Sequence, residues 1–148
     1  MGEALAPVNI LLVEDNPNDV EITLRALKKG QINNRMTVAR DGQEALDILL
    51  GVKNGSVPRP CLVLLDLNLP KVNGHEVLKR MKTDPELRGI PVIVLTASTR
   101  EEDVVRSYDL GVNTFISKPV EFEDFIKVVM TIQDYWIVVA TLPPADGN

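Results

Sequence analysis

Aromatic residues are scarce in this chain, 4% of 148, and it holds one tryptophan, one histidine and one cysteine. With no second thiol, Cys61 cannot close an internal disulfide, so a packed core must hold the fold. Its apolar setting predicts a small buried hydrophobe in a reducing compartment. His75 has no second histidine with which to share a metal or a phosphoryl group, and it reads as a solvent-facing helix residue. No run approaches the roughly 18 apolar residues of a membrane-spanning helix, and the first residues lack a charged segment followed by a long apolar one. A cytoplasmic protein with no membrane partner is therefore expected. Basic residues are outnumbered, 16 to 21, giving a net charge of −5 with no basic stripe. That argues against nucleic acid as a partner, because displacing the counterions of a polyanion needs clustered Lys and Arg.

What remains is 45% hydrophobic and 25% charged, without low-complexity tracts, at the size of one ordinary domain. Val8 to Val13 is an apolar, partly β-branched run suited to a strand buried on both faces. It stops at Glu14-Asp15-Asn16-Pro17, where Pro17 suits the first turn of a helix. Val20, Ile22, Leu24, Ala26 and Leu27 then supply an apolar stripe as far as Gly30. The pattern repeats. Met36 to Ala39 reads as a short strand, Gly42 to Leu50 as a helix turning Ala45, Leu46, Leu49 and Leu50 inward, and Gly51 to Pro60 as an irregular connection. Leu62 to Leu65 is the most apolar strand and ends on Asp66; Gly74 to Lys82 is a helix with Val77, Leu78 and Met81 on one side. Pro91 to Thr96, Arg100 to Leu110, Thr114 to Ile116 and a helix opening at Glu121 complete five strands and five helices. Asp41-Gly42 and Asp84-Pro85 look like turn or helix-entry chemistry.

Strands and helices alternating with short connections predict an α/β, doubly wound, five-stranded parallel sheet covered on both faces by five helices. In such folds ligands gather at the carboxyl ends of the strands. Glu14, Asp15, Asp66, Thr96 and Lys118 should meet there. Three carboxylates at one rim repel unless a cation is present, and an all-oxygen site is what Mg2+, or Mn2+, prefers. A carboxylate can also attack phosphorus to give an aspartyl phosphate, with a metal and an ammonium neutralising the transferring group. Asp66 is the candidate nucleophile, Glu14, Asp15 and Asp66 the candidate metal ligands, and Thr96 and Lys118 the candidate phosphoryl contacts.

The segments Ile10-Leu11-Leu12-Val13-Glu14-Asp15-Asn16, Leu64-Leu65-Asp66-Leu67-Asn68-Leu69-Pro70, Val94-Leu95-Thr96-Ala97 and Ser117-Lys118-Pro119 resemble, in order and spacing, the receiver domains of bacterial response regulators. The likeness runs from about Val8 to about Val129. It implies a flavodoxin-like strand order 2-1-3-4-5 and a two-component phosphorelay protein phosphorylated on Asp66 by a sensor histidine kinase. It also implies an Asn68 backbone carbonyl on the metal, Thr96 and the Ala97 backbone amide on the phosphoryl group, and Lys118 paired with it. Phe115 falls at the aromatic switch position, and the Lys118-Pro119 bond is expected to be cis.

The whole chain, 1–148, is expected to be a single receiver domain with its core at 8–134, so that output comes through binding, self-association or onward phosphotransfer and not through a DNA-binding module. The greasy end, 135–148, holds Tyr135, Trp136 and Leu142 before Pro143-Pro144. This ending, with the longer connection before the third strand, is similar to the small response regulators of bacterial phytochromes. That implies a phytochrome-type kinase as partner and a homodimer through Phe122, Phe125, Tyr135, Trp136 and Leu142. Two other classes compete. A phosphohydrolase of the haloacid-dehalogenase kind also uses a strand-end aspartate, yet needs a second aspartate two residues on, where this chain has Asn68. A receiver-like binding module independent of phosphorylation would not need the full set of side chains present here.

Overall fold

Continuous apolar runs are what a parallel strand needs when both its faces are covered, and three of them occupy the interior of one sheet. In the computed structural model, which describes residues 8–29, 34–96 and 114–117, these are β1 (Val8–Val13), β3 (Leu62–Asp66) and β4 (Val92–Thr96). β2 (Asn34–Ala39) and β5 (Thr114–Ser117) flank them, and all neighbours pair in parallel in the order β2-β1-β3-β4-β5. Every residue of β3 is buried. On one face Leu11, Val13, Val63, Leu65 and Val94 join a core with Ala45, Leu49, Val77, Leu78 and Met81. The alternate residues Ile10, Leu12, Leu62, Leu64, Ile93 and Leu95 are equally buried. Burial of a leucine side chain stabilises by about 1.5–3 kcal/mol, so this sheet is the main source of stability.

Three helices are described: α1 (Pro17–Lys29), α2 (Gly42–Asn54) and α3 (Gly74–Thr83). Each begins behind a side chain that satisfies its free amide groups. Asn16 Oδ1 accepts from the Asn18 and Asp19 amides at 2.8 and 3.3 Å, Asp41 accepts from Glu44 N at 2.8 Å, and Asn73 from Glu76 N at 3.0 Å. α2 ends at Gly55, whose φ of 87° is the left-handed turn that favours glycine.

The expected array of five strands and five helices needs correction. Its framework is the parallel run β2-β1-β3-β4, edged by the four-residue β5, and among the described residues it carries three helices, not five. The segments expected as fourth and fifth helices, 100–110 and the stretch from 121, lie outside the described residues. α2 also runs four residues past Leu50, through what reads in the sequence as irregular chain. Gly51 is tolerated inside it because the chain folds back tightly, with Ser56 and Val57 both donating to the Gly51 carbonyl.

Leu50 is 60% exposed, since it lies about 100° around the helix from the buried Leu49. Ile22 and Leu24 are exposed on α1, where Val20 and Thr23 turn inward instead. Cys61 is exposed and not buried, since it stands just before β3, joined to β1 through its amide, which donates to the Asn9 carbonyl at 2.7 Å. His75 is half-buried and not fully solvent-facing.

Candidate functional site

The carboxyl ends of the strands lie level, because Val13 pairs with Ala39 and with Leu65, Asp66 with Leu95, and Thr96 with Ser117. A residue that ends one strand is therefore beside the residue that ends the next. Glu14 follows β1 directly and is fully buried, its amide donating to the Ala39 carbonyl at 2.9 Å. Glu14 Oε2 accepts from Asn16 N at 3.2 Å, which ties the acidic turn to the entry of α1. Asp15 is exposed at the rim. Asp66 ends β3 with 1% of its surface accessible, and its Oδ1 accepts from Asn68 N at 3.1 Å.

One carboxylate oxygen from each of Glu14, Asp15 and Asp66 lies within 4.8 Å of the others. Opposed ligands on one Mg2+ are separated by about 4.2 Å, twice a metal–oxygen distance of about 2.1 Å. The cluster thus fits a single hard divalent cation with little closure. Two unit charges about 5 Å apart repel by roughly 3 kcal/mol at an effective dielectric of about 20, and a divalent ion removes that penalty. The donor set is all oxygen, as Mg2+ and Mn2+ require.

The loop from Leu67 to Asn73 is pinned from two sides. At its far end Gly74 N donates to Leu67 O at 3.0 Å, and a Cβ on Gly74 would stand 2.3 Å from Asp66 O. From α2, Gly42 N donates to Pro70 O at 3.4 Å, and a Cβ on Gly42 would stand 1.7 Å from Val72 O. Lys71 adopts φ 68° in this loop and pairs with Asp41 at 3.5 Å. The Glu44 amide, and then Lys71, hold the Asp41 carboxyl below its usual range. In the sequence Asp41-Gly42 reads as turn or helix-entry chemistry, and Lys71 and Gly74, taken singly, carry no sign of a part at the site. The available signal was a repeated cap-then-glycine pair, Asp41-Gly42 and Asn73-Gly74, since glycine directly after a cap costs helix propensity and implies close backbone approach.

Of the remaining expected residues, the backbone puts Thr96 at the end of β4, one position beyond the partner of Asp66, and Phe115 in β5 opposite Val94, half-buried against the core. Ala97, Lys118, Pro119, Phe122, Phe125, Tyr135, Trp136 and Leu142 lie outside the described residues.

The sequence profile of the response regulator receiver domain matches residues 10–130. The chain belongs to that family. Among receivers it is similar to response regulator Rcp1 of Synechocystis sp., 43% identical over 145 residues that make up 97% of this chain and 98% of Rcp1. The structure of the Mn2+-bound form of Rcp1 aligns with a TM-score of 0.73 over 93% of this chain and 100% of that one, at 42% identity. The bacteriophytochrome response regulator AtBRR aligns at 53% identity and a TM-score of 0.75, over 85% and 92% of the two chains. The phosphorylated cyanobacterial phytochrome response regulator RcpA gives 41% and 0.75, over 94% and 100%. As a receiver, this protein is a response regulator of two-component phosphorelay signalling, and its chemistry is that of a phosphoacceptor and not of an enzyme with turnover. The phosphohydrolase alternative is thereby set aside. Glu14, Asp15 and Asp66 form a cluster able to coordinate a divalent metal.

Proposed function

We propose that Asp66 takes the phosphoryl group from a sensor histidine kinase, and that Glu14, Asp15, Asp66 and the Asn68 backbone carbonyl hold Mg2+ or Mn2+ beside it. The observation that carries this reading is the buried Asp66 carboxylate at a strand end, within 4.8 Å of two further carboxylates. When bound, the cation neutralises charge on the transferring group and on the carboxylates around it. An Asp66 oxygen bonds to phosphorus as the bond from phosphorus to the kinase's histidine nitrogen breaks. The Asn68 amide on Asp66 Oδ1 orients the carboxylate for that attack. Thr96 and the Ala97 amide contact the phosphoryl oxygens, and Lys118 pairs with another. The lysine precedes a cis Pro119.

The added charge of about −2 draws Thr96 towards the site, and Phe115 turns into the space left behind, which changes the surface made by β5 and by the segments expected as the fourth and fifth helices. In this reading residues 8–134 form the receiver core of a cytoplasmic regulator with no nucleic-acid or membrane partner. Residues 135–148 are an interface extension, and Phe122, Phe125, Tyr135, Trp136 and Leu142 join two copies into a homodimer. A bacterial phytochrome is the proposed kinase, supported by the likeness to phytochrome response regulators.

The test is labelling by a small phosphodonor with and without Mg2+, followed by transfer from a phytochrome kinase. Wild type should gain one phosphoryl group only with the metal, and Asp66→Asn none. Equal labelling of Asp66→Asn would move the acceptor elsewhere. Absence of labelling in wild type would favour a phosphorylation-independent binding module.

A further inference from the structure

We infer that the start of α2 is a positioning element for the cation site, with Gly42 and its cap Asp41 setting where the loop after Asp66 lies. This rests on the reading that the acidic cluster holds a divalent ion. The loop carries Asn68, whose amide grips Asp66 Oδ1, and it is the only covalent link between Asp66 and α3. Two glycines let helices close on it. Gly74 is adjacent in sequence, but Gly42 comes from a different helix, more than twenty residues before Asp66. Its missing side chain is what allows the contact, since a Cβ there would meet the Val72 carbonyl oxygen at 1.7 Å, its carbon at 2.5 Å and Val72 Cβ at 2.8 Å. All but the last are backbone atoms, so relief requires the loop itself to retreat and not merely a side chain to turn.

The cap sets the same contact from the other side. Asp41 accepts from Glu44 N at 2.8 Å and so fixes the first turn of α2, whose Gly42 amide then donates to Pro70 O. Lys71 meets Asp41 at 3.5 Å, but with 68% of its side chain exposed this ion pair contributes little. The weight therefore lies with the cap oxygen and the absent Cβ. Groups that orient the direct ligands of a metal typically change its affinity by about 10–100-fold when altered.

The experiment titrates the full chain with Mn2+ and follows the electron paramagnetic resonance of the free ion. Wild type should bind one ion, and Asp66→Asn should lose that binding. Gly42→Ala should weaken it by about tenfold or more, while Leu49→Ala, a core change in the same helix, destabilises the protein and leaves Mn2+ affinity at the wild-type value. Asp41→Ala should weaken binding by about threefold, with Asp41→Asn restoring it, because asparagine keeps the capping oxygen and discards the charge. Should Gly42→Ala fail to fold, the Asp41 pair decides alone. Wild-type affinity in Gly42→Ala, or equal losses in Asp41→Ala and Asp41→Asn, would overturn the positioning role while leaving the cation site intact. Binding that survives Asp66→Asn would overturn the cation site and the inference with it.

Discussion

At the scale of single residues, Asp66 belongs in a position that folding alone would not choose. A carboxylate with 1% of its surface accessible lies beside Glu14 and Asp15, and like charges this close repel unless a cation stands between them. Replacing it by asparagine removes one of the repelling charges and keeps the shape. In EDTA, Asp66→Asn should therefore unfold later than wild type, by about 1–3 kcal/mol in chemical denaturation. In millimolar Mg2+ the order should narrow or reverse, since only wild type gains from binding. A variant no more stable than wild type in EDTA would mean that the carboxylates do not repel in the folded state. The acidic residues were legible in the sequence because each ends an apolar run, where a charge is out of place. The glycines were legible only as a cap-then-glycine pattern, which implies a close backbone approach without saying that Gly42 lies against Val72.

At the scale of elements, the caps explain why helix starts could be read closely and helix ends could not. Asn16, Asp41 and Asn73 announce their helices by type, while α2 passes through one glycine, Gly51, and closes only at a second, Gly55, so that a glycine by itself does not say which turn is the last. That extra turn has a consequence. It brings Lys53 to 2.7 Å from Asp84, the residue that closes α3, so an ion pair joins the far ends of the two helices. The Lys53 hydrogen bond, together with the Glu86 amide, holds the Asp84 carboxyl below its ordinary 3.8, and the Asp84 hydrogen bond raises Lys53 above 10.5. A carboxyl lowered by folding lends stability above its unfolded value and loses it as pH falls through the folded one. A raised lysine lends stability below its unfolded value and loses it as pH climbs through the folded one. Lys53→Met, which keeps the stem, should thus be less stable than wild type near neutrality, with the difference closing below about pH 4. Urea midpoints measured across that range check it. A difference that persists into acid would assign the loss to packing of the stem.

At the scale of the whole molecule, the parallel sheet was legible because its interior strands are buried on both faces and so read as unbroken apolar runs. Its count of elements needed correction, to a framework β2-β1-β3-β4 edged by the short β5 and, among the described residues, three helices. The tail cannot be judged by the same rule, because a run such as Tyr135-Trp136-Ile137-Val138-Val139 is too apolar to be left in water whether it packs on its own domain or on a second copy. The two cases separate by what truncation does. If the tail is the proposed interface extension, a chain ending at Asp134 keeps its Asp66-dependent Mn2+ binding and its unfolding midpoint at low concentration, and light scattering gives the mass of a monomer where the full chain gives that of a dimer. If the tail covers its own core, truncation leaves the mass unchanged and lowers the midpoint at every concentration. An unchanged dimer with an unchanged midpoint would place the interface on another face altogether.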